Sequence, residues 1–201
     1  MVVSEAELIA AVARDRAAGR SVAFANGCFD LLHVGHVRYL QASAAEADRL
    51  IVAVNNDRSV AGLKGAGRPI LPAAERAELV SALRGVDYVV VFGDANVERL
   101  LLLLKPDVHC KGTDYTADTV PERGVVAGYG GRTAIVGDPK NHATRELLAR
   151  IAPDAPRTPH PADPARTEHV TDPGRPSHRA DADRPPHRGE AARTRHREDA
   201  D

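Results

Sequence analysis

Asn26-Gly27-Cys28-Phe29-Asp30-Leu31-Leu32-His33-Val34-Gly35-His36 is the stretch from which the fold can be read. The apolar run Val22 to Asn26 stops at a glycine, and helical spacing takes over at His36, with Val37, Leu40 and Ala44 on one face. A strand that turns sharply into a helix presents unpaired amides and the positive end of the helix dipole, so anions bind there. Gly35 lets a phosphate approach the backbone closely. His33 and His36, three residues apart, project to one side and can donate to a phosphate on which charge develops. A metal site of Asp30, His33 and His36 is a weaker reading, because helical positions 0, 3 and 6 rotate away from one another and nothing nearby completes a zinc set. Ordinary packed or surface histidines are a further reading. Neither a G-x-G-x-x-G turn nor a Gly-Lys-Ser/Thr after Gly62 to Pro69 is present.

Strands and helices alternate on both sides of this stretch. Ser4 opens a capped helix ending near Gly19, with Leu8, Ile9 and Val12 at helical spacing. The first strand is Val22 to Asn26, and His36 to Ala47 is helix. Leu50 to Val54 is a second strand, ending at Asn55-Asn56-Asp57. Gly62 to Pro72 is a loop and Ala73 to Leu83 a helix. Val86 to Phe92 is a third strand, and Asn96 caps a helix running to Leu104. Val108 to Lys111 is a fourth strand, Pro121 to Ala127 a helix, Thr133 to Val136 a fifth strand and Thr144 to Ile151 a last helix. Such alternation implies a doubly wound α/β fold, a five-stranded parallel sheet covered on both faces. Ligands of such sheets bind beyond the carboxyl ends of the strands, here Gly27, Asn55 and Lys111.

The chain has 201 residues, a formal net charge of −1, 43% hydrophobic and 27% charged residues. That balance excludes disorder throughout and argues against a basic nucleic-acid binder. The longest aliphatic stretch, Leu100 to Leu104, is flanked by Arg99 and Lys105, so no membrane span is expected. The start, with Glu5 and Glu7, lacks the basic region of a signal peptide, and a cytoplasmic protein is expected. Cys28 and Cys110 make neither a disulfide framework nor a four-ligand zinc site. Composition changes near Ile151: no aromatic residue lies beyond Tyr129, and Val170 is the only large aliphatic residue after Ile151. Residues 152–201 are therefore read as a disordered tail. They carry a nine-residue repeat on His160, His169, His178, His187 and His196, whose His/Arg pattern could also hold metal or polyanions weakly. The expected organisation is a helix at 1–19, a single domain at 20–151 and the tail.

The run Gly27 to His36 resembles the H-x-G-H signature of the cytidylyltransferase-like nucleotidyltransferases. Further segments narrow the likeness: Asp48 to Asn55, Leu63-Lys64-Gly65 with Gly67-Arg68-Pro69, Lys105-Pro106-Asp107-Val108, and Lys111-Gly112-Thr113-Asp114-Tyr115. Over residues 20–151 the chain is similar to the adenylyltransferase domain of bacterial ADP-heptose synthesis. The resemblance implies a Rossmann-like sheet on which ATP gives AMP to D-glycero-β-D-manno-heptose 1-phosphate, with pyrophosphate leaving. The rivals are a cytidylyltransferase of the same fold acting on glycerol 3-phosphate or another polyol or sugar phosphate, and a catalytically weak nucleotide-binding protein.

The resemblance further implies roles. His33, His36 and Lys64 would act on the triphosphate, Lys64 from its Gly-rich loop. Asn26, Gly27, Cys28, Phe29, Asp30, Gly35, Lys111, Thr144 and Arg145 would hold the nucleotide. Asp114 and Arg76 would contact substrate. Each has a plainer reading: a solvated loop for Lys64, an N-cap for Thr144, a turn for Asp114, a solvated helix face for Arg76. Cys28 and Cys110 are expected to be unreactive thiols, and His109 a packed residue. Mg²⁺ would be held mainly by the phosphates, with no all-protein cage. Ala143 stands where relatives have a serine, which puts rate or nucleotide affinity in doubt. Lys140, His142 and Arg145 could compensate. Many relatives carry a sugar kinase ahead of this domain, so a separate kinase is expected to supply the acceptor. A homodimer is consistent with the family.

Overall fold

The computed structural model describes residues 1–138. Its elements, in chain order, are α1 (Glu5–Ala17), β1 (Val22–Gly27), α2 (Val34–Ala44), β2 (Arg49–Asn55), α3 (Asp57–Lys64), α4 (Ala73–Ser81), β3 (Tyr88–Phe92), α5 (Glu98–Leu104), β4 (Val108–Lys111), α6 (Arg123–Gly128) and β5 (Arg132–Ile135). All neighbouring strand pairs are parallel, in the order β3-β2-β1-β4-β5. The doubly wound five-stranded sheet expected from the sequence is therefore present. The expected helix at 144–151, the boundary after Ile151 and the repeat tail lie outside the described residues.

Side chains alternate between the two faces of the sheet, and both faces are buried. Ala23, Ala25, Leu50, Val52, Val54, Val108 and Cys110 point to one core, closed by Leu40 of α2 and by Ala77 and Val80 of α4. Val22, Phe24, Ile51, Ala53, Val90 and Phe92 point to the other, closed by Leu8 and Val12 of α1, by Leu100, Leu101 and Leu104 of α5, and by Val126 of α6. Strands buried on both sides read as continuous apolar runs, and this is why they were legible. From β1 the chain winds outward through β2 to β3, then returns past β1 to β4 and β5. The order therefore switches between β1 and β4, and the loops leaving their carboxyl ends diverge to opposite faces.

Several boundaries differ from the sequence reading. Helix α2 starts at Val34, because His33 is its N-cap in extended conformation, so His36 is the third helical residue. Residues 57–64 form α3 rather than strand end and loop, and Asn56 caps it by accepting from the Ser59 amide at 2.8 Å. Only Val60 of α3 is buried, and Gly62 sits in its last turn, so no apolar stripe announced it. Asn96 accepts from the Glu98 amide just ahead of α5. Residues 1–3 were not read as extended, yet they bridge β3: Val3 donates to the Val89 carbonyl at 2.9 Å, and the Val89 amide donates to Met1. That strip pairs the outer edge of β3.

Candidate active site

The turn after β1 is built around a glycine and an aromatic ring. A Cβ at Gly27 would lie 3.1 Å from the Phe29 ring, so a larger residue there would press on the ring. Phe29 adopts a left-handed backbone, φ +46°, which turns its ring back over Gly27 and sends Asp30 inward. The same ring meets His36 edge-on at 5.3 Å. The His33 carbonyl accepts from the His36 and Val37 amides, while the first amides of α2 keep no helical partner. The rings of His33 and His36 stack at 3.9 Å, 24° from parallel. This is the shared side that their spacing implied. Tyr39 of α2 donates to the Cys110 carbonyl at 2.8 Å, which fixes α2 against β4 at the switch point.

His36 is largely a neutral imidazole. Burial first, then the neighbouring His33 ring and the Lys64 ammonium, push it down to about 3, against the Leu31 carbonyl. Lys64, the last residue of α3, is thus near enough for its charge to be felt at the histidine pair. It makes no hydrogen bond or ion pair among the described residues.

A second polar group lies at the same end of the sheet. Lys111 ends β4, buried, and its ammonium donates to Asn26 Oδ1 at 3.1 Å and pairs with the Glu122 carboxylate at 3.2 Å. Burial lowers the Lys111 pKa, while Glu122 and Asp114 oppose the shift. His109 Nε2 lies 3.2 Å from the same Asn26 oxygen. That oxygen already accepts from Lys111, so the histidine must donate there. Buried beside Phe24, His109 is pushed down to about 3 by desolvation and by Lys111. Asn26 and Lys111 therefore bridge the β1/β4 switch point. Asp114 is exposed on the loop that follows.

Two expected ligand contacts are spent inside the protein. Arg76 is fully buried: it donates to the Leu71 carbonyl at 2.9 Å, to the Cys28 carbonyl, and to Asp57 Oδ1 at 2.7 Å. A guanidinium so engaged cannot reach substrate, which corrects both its substrate role and its solvated reading. Asp30 is also fully buried, paired with Arg68 and accepting from the Ile70 amide at 2.6 Å. A ligand would meet its backbone rather than its carboxylate. Cys28 and Cys110 are free thiols, both raised by burial, Cys110 to about 11. Cys28 Sγ lies 3.9 Å from Asn55 Oδ1.

The structure thus brings together Asn26, Gly27, Cys28, Phe29, His33, Gly35, His36, Lys64 and Lys111. Thr144, Arg145 and the Ala143 position lie outside the described residues. Sequence reading gave no role to Arg68, Asp57 or Glu122. Glu122 could have been suspected only from a buried lysine needing a counter-charge.

No helix among the described residues is long and apolar enough to cross a membrane. Among them no group of three or more His, Cys, Asp or Glu could hold a metal ion.

Comparison with known proteins adds to this geometry. A family model described as cytidylyltransferase-like matches residues 24–159. The bifunctional protein HldE of Pseudomonas fluorescens (strain SBW25) is 44% identical over 150 residues, 75% of this chain and 32% of that protein. The bifunctional protein HldE of Alcanivorax borkumensis is 43% identical with the same coverage. The chain therefore spans about a third, 32%, of the length of these curated relatives. Among solved structures, a lipopolysaccharide core biosynthesis protein from Thermoplasma volcanium matches with TM-score 0.54 and 26% identity, covering 61% of this chain and 100% of its own. Pantothenate synthetase from Thermus thermophilus matches with TM-score 0.50 and 19% identity, over 73% of this chain and 67% of its own, and shares the fold alone.

Proposed function

The chain belongs to the cytidylyltransferase-like family of nucleotidyltransferases, and from that premise we propose that it transfers AMP from ATP to D-glycero-β-D-manno-heptose 1-phosphate, forming ADP-heptose and pyrophosphate. The observation that carries the transfer is the stacked His33–His36 pair at the N-terminus of α2, beside the switch point. The heptose reading rests on the likeness of Lys111 to Tyr115 and on the HldE relatives.

In this mechanism an oxygen of the sugar phosphate attacks the α-phosphorus in line, and the bond to pyrophosphate breaks. No protein nucleophile takes part, so catalysis is positioning and charge stabilisation. The first amides of α2 and the N–H groups of His33 and His36 hold the phosphate that gains charge. Lys64 closes on the triphosphate from the end of α3. Asn26, oriented by Lys111, keeps the turn at Gly27 in place beneath the nucleotide. Mg²⁺ would be carried on the triphosphate, whose own oxygens would supply most of its ligands.

The test is pyrophosphate release from a panel crossing ATP and CTP with heptose 1-phosphate, other sugar 1-phosphates and glycerol 3-phosphate. ATP with heptose 1-phosphate is expected to turn over fastest. CTP with glycerol 3-phosphate as the best pair would overturn the substrates but leave nucleotidyl transfer. Silence from every pair would overturn both.

A further inference from the structure

The segment between α3 and α4 is tied to the histidine-bearing turn by polar contacts. Gly65 and Gly67 have positive φ, and a Cβ at either would meet nothing within 4 Å. Residues 65–67 are exposed, and Leu63 and Ile70 are half exposed. Apolar packing therefore anchors the stretch that follows Lys64 only in part. Arg68 supplies a polar tie. Its side chain is only 15% exposed, and it reaches the fully buried Asp30. The other Asp30 oxygen takes the Ile70 amide at 2.6 Å. Asp30 lies three residues before His33, in the turn set by Phe29. A second tie runs in parallel: Arg76 holds the Cys28 and Leu71 carbonyls together and reaches Asp57, the first residue of α3.

We propose that Arg68 is a positioning residue, whose ion pair with Asp30 straps residues 65–72, and with them Lys64, against the turn that carries His33 and His36. The pair makes Asp30 a mechanical link rather than a ligand contact. It fixes a glycine-rich loop that apolar packing anchors only in part, and so holds the end of α3, where Lys64 sits, at a set place. This inference rests on the reading of Lys64 as a phosphate contact, and it adds Arg68, which acts through Lys64 and touches no substrate. Misplacing a charged group by about 1 Å costs about 10²-fold in rate, which sets the scale of the effect.

The experiment uses the full chain carrying Arg68→Gln, Asp30→Asn or both, each with Lys64 and with Lys64→Ala. Pyrophosphate release gives kcat and KM for the nucleotide, and amide hydrogen exchange at Ile70 reads the strap without activity. Arg68→Gln is expected to lower kcat by about ten- to a hundredfold and to speed Ile70 exchange by a similar factor. In the Lys64→Ala background it should cost less than about twofold more, because its effect passes through the missing lysine. If Arg68→Gln fails to fold because Asp30 is left charged and buried, the double variant carries the test, since it leaves no charge unpaired. Losses that multiply with Lys64→Ala would overturn the proposal by placing Arg68 on the substrate. Unchanged Ile70 exchange would overturn it by showing that the pair holds nothing. Should no substrate pair turn over in the unaltered chain, the functional reading fails, and Ile70 exchange alone decides the strap.

Discussion

A histidine held near a pKa of 3 meets its ligand as a neutral donor over the whole physiological range. In the proposed mechanism it would gain the most from charge that appears only as pyrophosphate departs, since a donor fixed beforehand needs no reorganisation at that moment. His36→Ala is therefore expected to lower turnover by about 10²-fold or more, the scale for losing one preorganised donor. The melting temperature should stay within a few degrees, because the Phe29 ring still covers Gly27. Near-normal turnover by the purified variant, in the pyrophosphate assay, would remove His36 from the mechanism. The pair could be read from sequence because its neighbours are local: a glycine before it and another between the two histidines, a strand before, a helix after. Asp30 could not. A carboxylate three residues from a histidine looks like a ligand until Arg68 and Ile70, some forty positions away, come back to claim it.

Elements are joined here by single polar side chains as much as by apolar faces. Arg76 sits on α4 yet fixes the end of β1, the segment ahead of α4 and the start of α3. Replacing it with Leu would leave the Cys28 and Leu71 carbonyls without their partner, at a cost of about 1–3 kcal/mol for each buried group left unsatisfied. Arg76→Leu is expected to lower stability by about 2–4 kcal/mol in denaturant titration, with activity falling further than the folded fraction. Arg76→Lys, which keeps the charge but not the fork, should recover little of either. A variant as stable as the parent would show that the three contacts are idle. In sequence Arg76 lies in Ala-Glu-Arg-Ala-Glu, a pattern indistinguishable from a solvated helix face. Its burial depends on three partners, at Cys28, Leu71 and Asp57, that become neighbours only once the sheet has formed. The strands needed no such partners, because an apolar run between glycines and turns carries its own evidence. Helix α3 carried none, being eight residues long with one buried side chain.

At the scale of the molecule, two histidines among the described residues contribute to the response to acid. His36 and His109 titrate near 3 when folded, against about 6.5 when unfolded. Between those values the unfolded chain binds protons that the folded one does not, so their contribution is full above about pH 6.5 and is lost as pH falls toward 3. Fully buried His109 costs up to about 1.4 kcal/mol for each pH unit within that window. His109→Leu should therefore flatten the acid limb of stability between about pH 6.5 and pH 4.5, followed by melting temperature. Parallel limbs for variant and parent would assign the acid sensitivity elsewhere. The strip formed by residues 1–3 bears on something different. It runs parallel to β3 with Met1 level with Asp87, at the amino ends of the strands, whereas the His33–His36 pair stands beyond the carboxyl ends. Any polypeptide joined ahead of Met1 would leave from the opposite pole to the histidine pair. Five to six residues of strand at about 3.3 Å each put roughly 20 Å of sheet between them. A partner enzyme tethered there would start at the far end of the sheet from the histidine pair, so the tether would raise the local concentration of its product without by itself bringing the two sites together.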